Sequence, residues 1–298
     1  TTGVNVGSSI PWNDNWIPGT GNDRILHVLN EQTEENYGFW VVGEPKSRCD
    51  DHSLFPPFIP DGPNTQAGYD VNNPLHLCMA AANKTAGTYS TTDGTTHTER
   101  GMGIDKLALV TRAAEVKTGT IHHALELTIT STMFGAPECP NNSTYTDTGA
   151  GTDCGFYLKP ATRVEFATNE NNRIGVRCPG YQITVNSTER AKTVPEGLRI
   201  ALRLTDSDIE TWLNQRNYTG AKRETARIFA VALRDYGAIV GETGCFGIGI
   251  ETDGLQNPTT AAIWNSLGIT DDGSANPHGD LLKDLFTRQR LYIVNPPN

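Results

Sequence analysis

The stretch Thr120 to Thr130 alternates strictly, with Ile121, His123, Leu125, Leu127 and Ile129 at one parity and His122, Ala124, Glu126, Thr128 and Thr130 at the other. A period of two is the mark of a half-buried strand with one face on a core and the other in water. Leu198, Ile200, Leu202 and Leu204 set against Arg199, Ala201 and Arg203 predict a second such strand with a basic solvent side. Between Arg24 and Val42 two apolar and aromatic runs, Ile25 to Leu29 and Tyr37 to Val42, flank an acidic turn around Thr33 to Asn36 and predict a hairpin. Leu291, Ile293 and Val294 predict a closing strand.

Helical spacing is confined to the final third. A capping box formed by Ser207 and Glu210, or an earlier cap at Thr205, precedes Ile209, Trp212 and Leu213. Ala226, Phe229, Ala230 and Leu233 form one stripe of a helix over Ala221 to Tyr236 that Gly237 stops. Asn257 and Pro258 open a third helix carrying Ala261, Ala262, Trp264 and Leu267, and Leu281 to Phe286 suggest a last helical turn. A proline- and glycine-rich excursion runs from Pro45 to Asn73. With no evenly spaced strand–helix repeat, this order predicts a mostly β fold: one domain over residues 1–298, an antiparallel, jelly-roll-like β-sandwich with long loops and helical decorations in its C-terminal third.

Charge narrows the partners. With 24 basic against 34 acidic side chains the net charge is −10, which repels phosphate backbones and anionic membranes, so nucleic-acid and membrane partners are not expected. No apolar run approaches the length of a membrane span. Six cysteines without short paired spacing, and Asn-X-Ser/Thr sites at Asn83, Asn141, Asn142, Asn186 and Asn217, point to an oxidising, glycosylating compartment and hence to a secreted, extracellular protein. The polar, glycine-rich start at Thr1 to Ser9 fits a mature secreted form. Cys139 and Cys154 flank a Pro-, Asn-, Thr- and Gly-rich stretch and are the expected disulfide pair.

Three segments in order, Asn22 to Val42, Gly103 to Ile129 with its core Gly119-Thr120-Ile121-His122-His123-Ala124-Leu125, and Ala232 to Gly241, resemble a group of uncharacterised secreted proteins of soil bacteria and fungi. There a Glu precedes a Gly-x-Ile-x-His-Ala-Leu strand, a pattern that Glu115, His123, Ala124 and Leu125 match. The resemblance implies secretion and an extracellular β-rich domain, and carries no activity with it.

The chain has no Gly-x-Ser-x-Gly elbow, no His-Glu-x-x-His helix and no phosphate loop. Trp12, Trp16, Tyr37, Phe39 and Trp40 supply rings that can stack on sugars, with a core role as the plain alternative. Together these features predict a carbohydrate-active protein with a polysaccharide or glycan partner, first a glycoside hydrolase with paired carboxylates. A non-catalytic carbohydrate-binding or structural protein comes second and a polysaccharide lyase third. Glu35, Asp105, Glu115, Glu126 and His123 are the catalytic candidates. For His123 the reading as a core histidine hydrogen-bonded to backbone comes first and the cleft acid or base second, and each carboxylate taken alone is more often a solvated charge. Trp16, Tyr37, Trp40, Arg112 and His122 are the substrate-binding candidates. No cofactor is required; calcium is the one metal that the loop residues Asp14, Asp23, Asp50, Asp51, Asp70 and Asp93 would suit, though without a calcium-loop motif.

Overall fold

The computed structural model describes residues 2–3, 12–13, 16, 18–19, 25–30, 32–33, 35–40, 42, 79–84, 102–104, 106–130, 132, 155–161, 174–177, 181–184, 188, 192–243, 247–255, 257–270 and 281–294. The expected N-terminal hairpin is there. β2 (Leu26–Asn30) and β3 (Glu35–Trp40) pair antiparallel, and with β1 (Thr2–Gly3) and β4 (Met79–Lys84) they form a sheet in the order β1-β4-β3-β2. Trp12 packs edge-on against both Trp16 and the fully buried Phe39, so these rings are cemented to one another.

The second sheet is built around β5 (Leu125–Ile129), after the five-residue helix α1 (Ala113–Lys117). A separate two-stranded ladder, β6 (Ile174–Arg177) with β7 (Tyr181–Thr184), precedes β8 (Arg199–Leu202). Two helices follow, α2 (Asp206–Gln215) and α3 (Gly220–Asp235), then β9 (Ala238–Thr243), β10 (Gly249–Ile250), α4 (Pro258–Ser266) and β11 (Leu291–Val294). The strand order is β10-β5-β9-β8-β11, with β5 and β9 parallel and the other neighbours antiparallel.

The caps explain where the helices begin. Thr205, the earlier of the two expected caps, opens α2: its hydroxyl accepts the Asp208 N–H at 3.1 Å while the Asp208 carboxylate accepts the Thr205 N–H at 2.8 Å. Asn257 caps α4 by accepting the Thr259 N–H at 2.9 Å, ahead of Pro258 at the first turn. Gly237 ends α3 at φ +73°, and a Cβ there would lie 2.1 Å from the Ile200 carbonyl oxygen, so only glycine fits.

Ile209, Trp212 and Leu213 of α2, Phe229 and Leu233 of α3, and Trp264 of α4 meet Leu125, Leu127, Ile200, Leu202, Ala238 and Val240 of the sheet in one core. Among the described residues no side chain of the four-stranded sheet enters it. The other face of the five-stranded sheet is roofed too: Ile239 and Ala124 pack with Met102, Ile104, Leu109 and Ala161 in a smaller cluster.

These layers overturn the β-sandwich expectation. The fold is mixed α/β with open sheets, and the helices form a packed layer on the sheet rather than decorations around a sandwich. A parallel pair needs a crossover. Here the connection from β5 to β9 contains β6, β7, β8, α2 and α3, which leaves no repeating strand–helix unit for the sequence to display. The alternating strand is also shorter than its pattern: its ladder begins at Leu125, opposite Ala238, and just before it the His123 ring lies against the Ala124 carbonyl. Glu126, read as solvent-facing, is fully buried under the second cluster; a Cβ on Gly241 would lie 2.7 Å from its Oε1.

Candidate functional site

Of the expected residues, the structure joins Glu115 and His123. Helix α1 starts at Arg112, whose backbone N–H donates to Glu115 Oε1 at 2.6 Å, and this return of the carboxylate to the helix entry fixes its direction. The other oxygen, Oε2, faces His123 Nε2 at 3.1 Å. His123 Nδ1 faces the Ala124 carbonyl at 2.9 Å.

With Glu115 ionised, both ring nitrogens point at acceptors, and the imidazolium, which donates from both, satisfies the two contacts together. The bond to Glu115 raises the His123 pKa above the usual imidazole value against the opposing effect of burial, with help from Ala124. Burial would push the Glu115 carboxyl up, but the bonds from His123 and the Arg112 N–H outweigh it and hold the group below the ordinary carboxylate range. The product is an ion pair tying α1 to the entry of β5.

Asp253 completes the junction and was missed from the sequence. A parallel bridge between Thr111 and Thr252 carries it to the start of α1, where its Oδ1 accepts the Ala113 N–H and the Trp264 indole N–H, each at 2.9 Å. Burial pushes its carboxyl up, the Ala113 and Trp264 bonds pull it back, and Glu115 adds to the rise. Its only local signal is a place in an acidic stretch, Glu251-Thr252-Asp253, which does not announce a contact with a residue 140 positions earlier.

The paired-carboxylate glycosidase expectation fails on this geometry. Such chemistry needs two carboxyl groups facing each other across a sugar. Here Glu115 is turned onto His123 and the Arg112 N–H, Asp253 onto Ala113 and Trp264, and Glu126 is sealed inside. The carbohydrate-active scheme loses its scaffold together with the sandwich.

The remaining candidates are dispersed. Arg112 is exposed at the entry to α1 and acts there through its backbone. His122 is exposed on its own, its ring within 2.9 Å of the Thr120 hydroxyl and 3.2 Å of the Tyr236 hydroxyl. Glu35 and Trp40 open and close β3, facing Lys84 and Met79 of β4 in backbone register, with Tyr37 between them. Trp16 sits against Trp12. Asp105 lies outside the described residues, as do the six cysteines, including Cys139 and Cys154, and every aspartate named for calcium. Among the described residues no group of three His, Cys, Asp or Glu side chains could hold a metal ion. No described helix is long and apolar enough to cross a membrane.

A second place in the fold is open where this junction is closed. β11 pairs with β8 on its inner side, and among the described residues no strand pairs with its outer side. Leu291, Tyr292 and Ile293 are 37, 40 and 58% exposed, and Ile248 is 52% exposed. With Phe286, Thr287 and Arg288 they line a hollow of about 450 Å³. Arg203 stands 5.9 Å from the centre of the Tyr292 ring. The sequence shows this segment as a closing strand; the signal it also carries is a run of four uncharged residues, Leu291 to Val294.

No protein-family model, curated protein or solved structure matches the chain.

Proposed function

We propose that the protein is an exported recognition protein that takes up an extended segment of a partner polypeptide as a sixth strand along β11. The observation that carries this reading is the exposed apolar edge of Leu291, Tyr292 and Ile293 beside its hollow. Unpaired edge amides and carbonyls give affinity in strand addition, and alternate side chains entering a hollow give specificity. Contiguous apolar surface left in water marks an interaction site.

Arg203 and Arg288 border the edge, so the partner segment is apolar at alternate positions with acidic flanks. That local basic rim stands out on a chain of net charge −10. Export is supported by the acceptor sequons and by the resemblance to secreted proteins. The polysaccharide partner has less behind it, because Trp16 is held by Trp12 and Trp12 by Phe39.

The test is fluorescence anisotropy with a labelled octapeptide that alternates valine and threonine between terminal glutamates. Binding that weakens at least tenfold in Ile293→Lys, and is absent for a peptide of the same composition with its valines grouped, supports strand uptake. Equal binding of both peptides, or an unaffected Ile293→Lys variant, contradicts it. A concentration-dependent dimer of the wild type that Ile293→Lys dissolves also contradicts it, since a second copy then covers the edge.

A further inference from the structure

The five acceptor sequons differ in what the fold does with them. Asn83 lies within β4, an inner strand of its sheet, opposite Asn36 of β3, whose side chain is fully buried. Asn141, Asn142 and Asn186 lie outside the described residues. Asn217-Tyr218-Thr219 forms the turn between α2 and α3.

In that turn the middle residue points in and its neighbours point out. Tyr218 is 9% exposed, edge-on to Trp212 at 6.1 Å and covered by Arg216 and Lys222 at 5.5 and 5.1 Å from its ring centre. Asn217 and Thr219 are exposed. Asn217 sits at φ +54°, a left-handed conformation that asparagine tolerates better than most residues, and its backbone N–H closes the end of α2 on the Asn214 carbonyl at 3.0 Å. Its carboxamide makes no hydrogen bond among the described residues. Thr219 occupies the cap position of α3, yet its side chain caps nothing. Both side chains that an oligosaccharide transferase must engage are thus in solvent and uncommitted, and a glycan there displaces no packing.

We infer that Asn217 carries an N-linked glycan, an inference that rests on the export reading above. In the transfer, Asn217 Nδ2 forms the bond to the anomeric carbon of a lipid-linked oligosaccharide. The lipid diphosphate leaves with the electrons of the broken bond, and the amide proton passes to the transferase's base. The glycan shields the α2–α3 turn and leaves the packed side of Tyr218 intact.

The full chain, given a cleavable leader and translated with microsomes, is isolated from the protease-protected lumen and released from its glycans in ¹⁸O-water. The peptide running from Asn217 to Lys222 is then read by mass spectrometry. Occupancy appears as an ¹⁸O-labelled aspartate at position 217 and disappears in Thr219→Val, which leaves the melting temperature unchanged because that hydroxyl caps nothing. Imported chain with an unmodified 217–222 peptide overturns the inference, as does glycosylated chain that aggregates or loses its far-ultraviolet circular dichroism. Because the added leader bypasses the chain's own route, a failure of export itself is read separately, as absence of the protein from the culture medium of its source.

Discussion

The junction at α1 and the edge at β11 present opposite solutions to the same requirement, that polar backbone and side-chain groups find partners. At the junction every named group is engaged within the chain: Glu115 by His123 and the Arg112 N–H, Asp253 by Ala113 and Trp264, His123 at both nitrogens. At the edge, no strand among the described residues pairs with the outer side of β11, and four large apolar side chains are exposed. Ionisable residues in close contact attract attention as catalytic candidates, but contact that saturates them is what a structural staple looks like. The less conspicuous apolar edge has unused capacity, and unused capacity is what binding requires.

That contrast is breakable by substitution, and the largest effect is expected where the closed side is tightest. Gly237→Ala forces a Cβ into the Ile200 carbonyl at a left-handed position whose own carbonyl receives the Leu125 N–H, and should cost about 4 kcal/mol or more in urea unfolding. An unfolding midpoint within error of wild type would show that the junction between α3, β5 and β9 is looser than described. Asp253→Ala strands the Ala113 N–H and weakens the hold on the Trp264 indole, for a loss of about 2–3 kcal/mol by the same measurement, while octapeptide affinity stays at the wild-type value. A binding loss as large as the stability loss would erase the distinction between the two regions.

His123→Gln should cost about 1 kcal/mol, discounted for the partial exposure of the pair, and the cost should depend on pH. The His123 pKa is raised by folding, so its contribution is fully present below the usual imidazole value of about 6.5 and fades as pH rises through the higher folded value. Glu115 is lowered, so its contribution is present above the ordinary carboxylate value and fades as pH falls through the folded one. Comparing the unfolding of wild type and variant from pH 3 to 9 should give a stability difference that peaks between those limits. A flat difference would mean that the pair is not ionic. The smallest stability effect, within about 0.5 kcal/mol, is expected for Ile293→Lys, whose side chain is already in water.

Local elements were the legible part of the chain. The caps at Thr205 and Asn257 and the glycine stop at Gly237 are written into a few adjacent residues, and the helices begin and end there. Layering was not legible. The pattern around Leu125 and Leu127 states that one face is buried but is silent on what buries it, and Glu126 reads as wet until Met102 and Gly241 are placed over it. Glu115 and His123 stood in one sequence pattern that did not state their contact, and Asp253 arrives beside them through a long-range bridge. Acidic residues scattered through loops suggested a catalytic pair because sequence shows charge without direction.

The most direct measurement of the central claim is amide hydrogen exchange across Leu291 to Val294 with and without the alternating octapeptide. Strand uptake predicts that alternate amides of β11, those facing away from β8, gain protection on saturation while the amides of α1 and its junction keep theirs unchanged. Saturable binding that leaves the β11 amides exchanging at their free rates, or that protects the Glu115–His123 junction instead, would contradict the account.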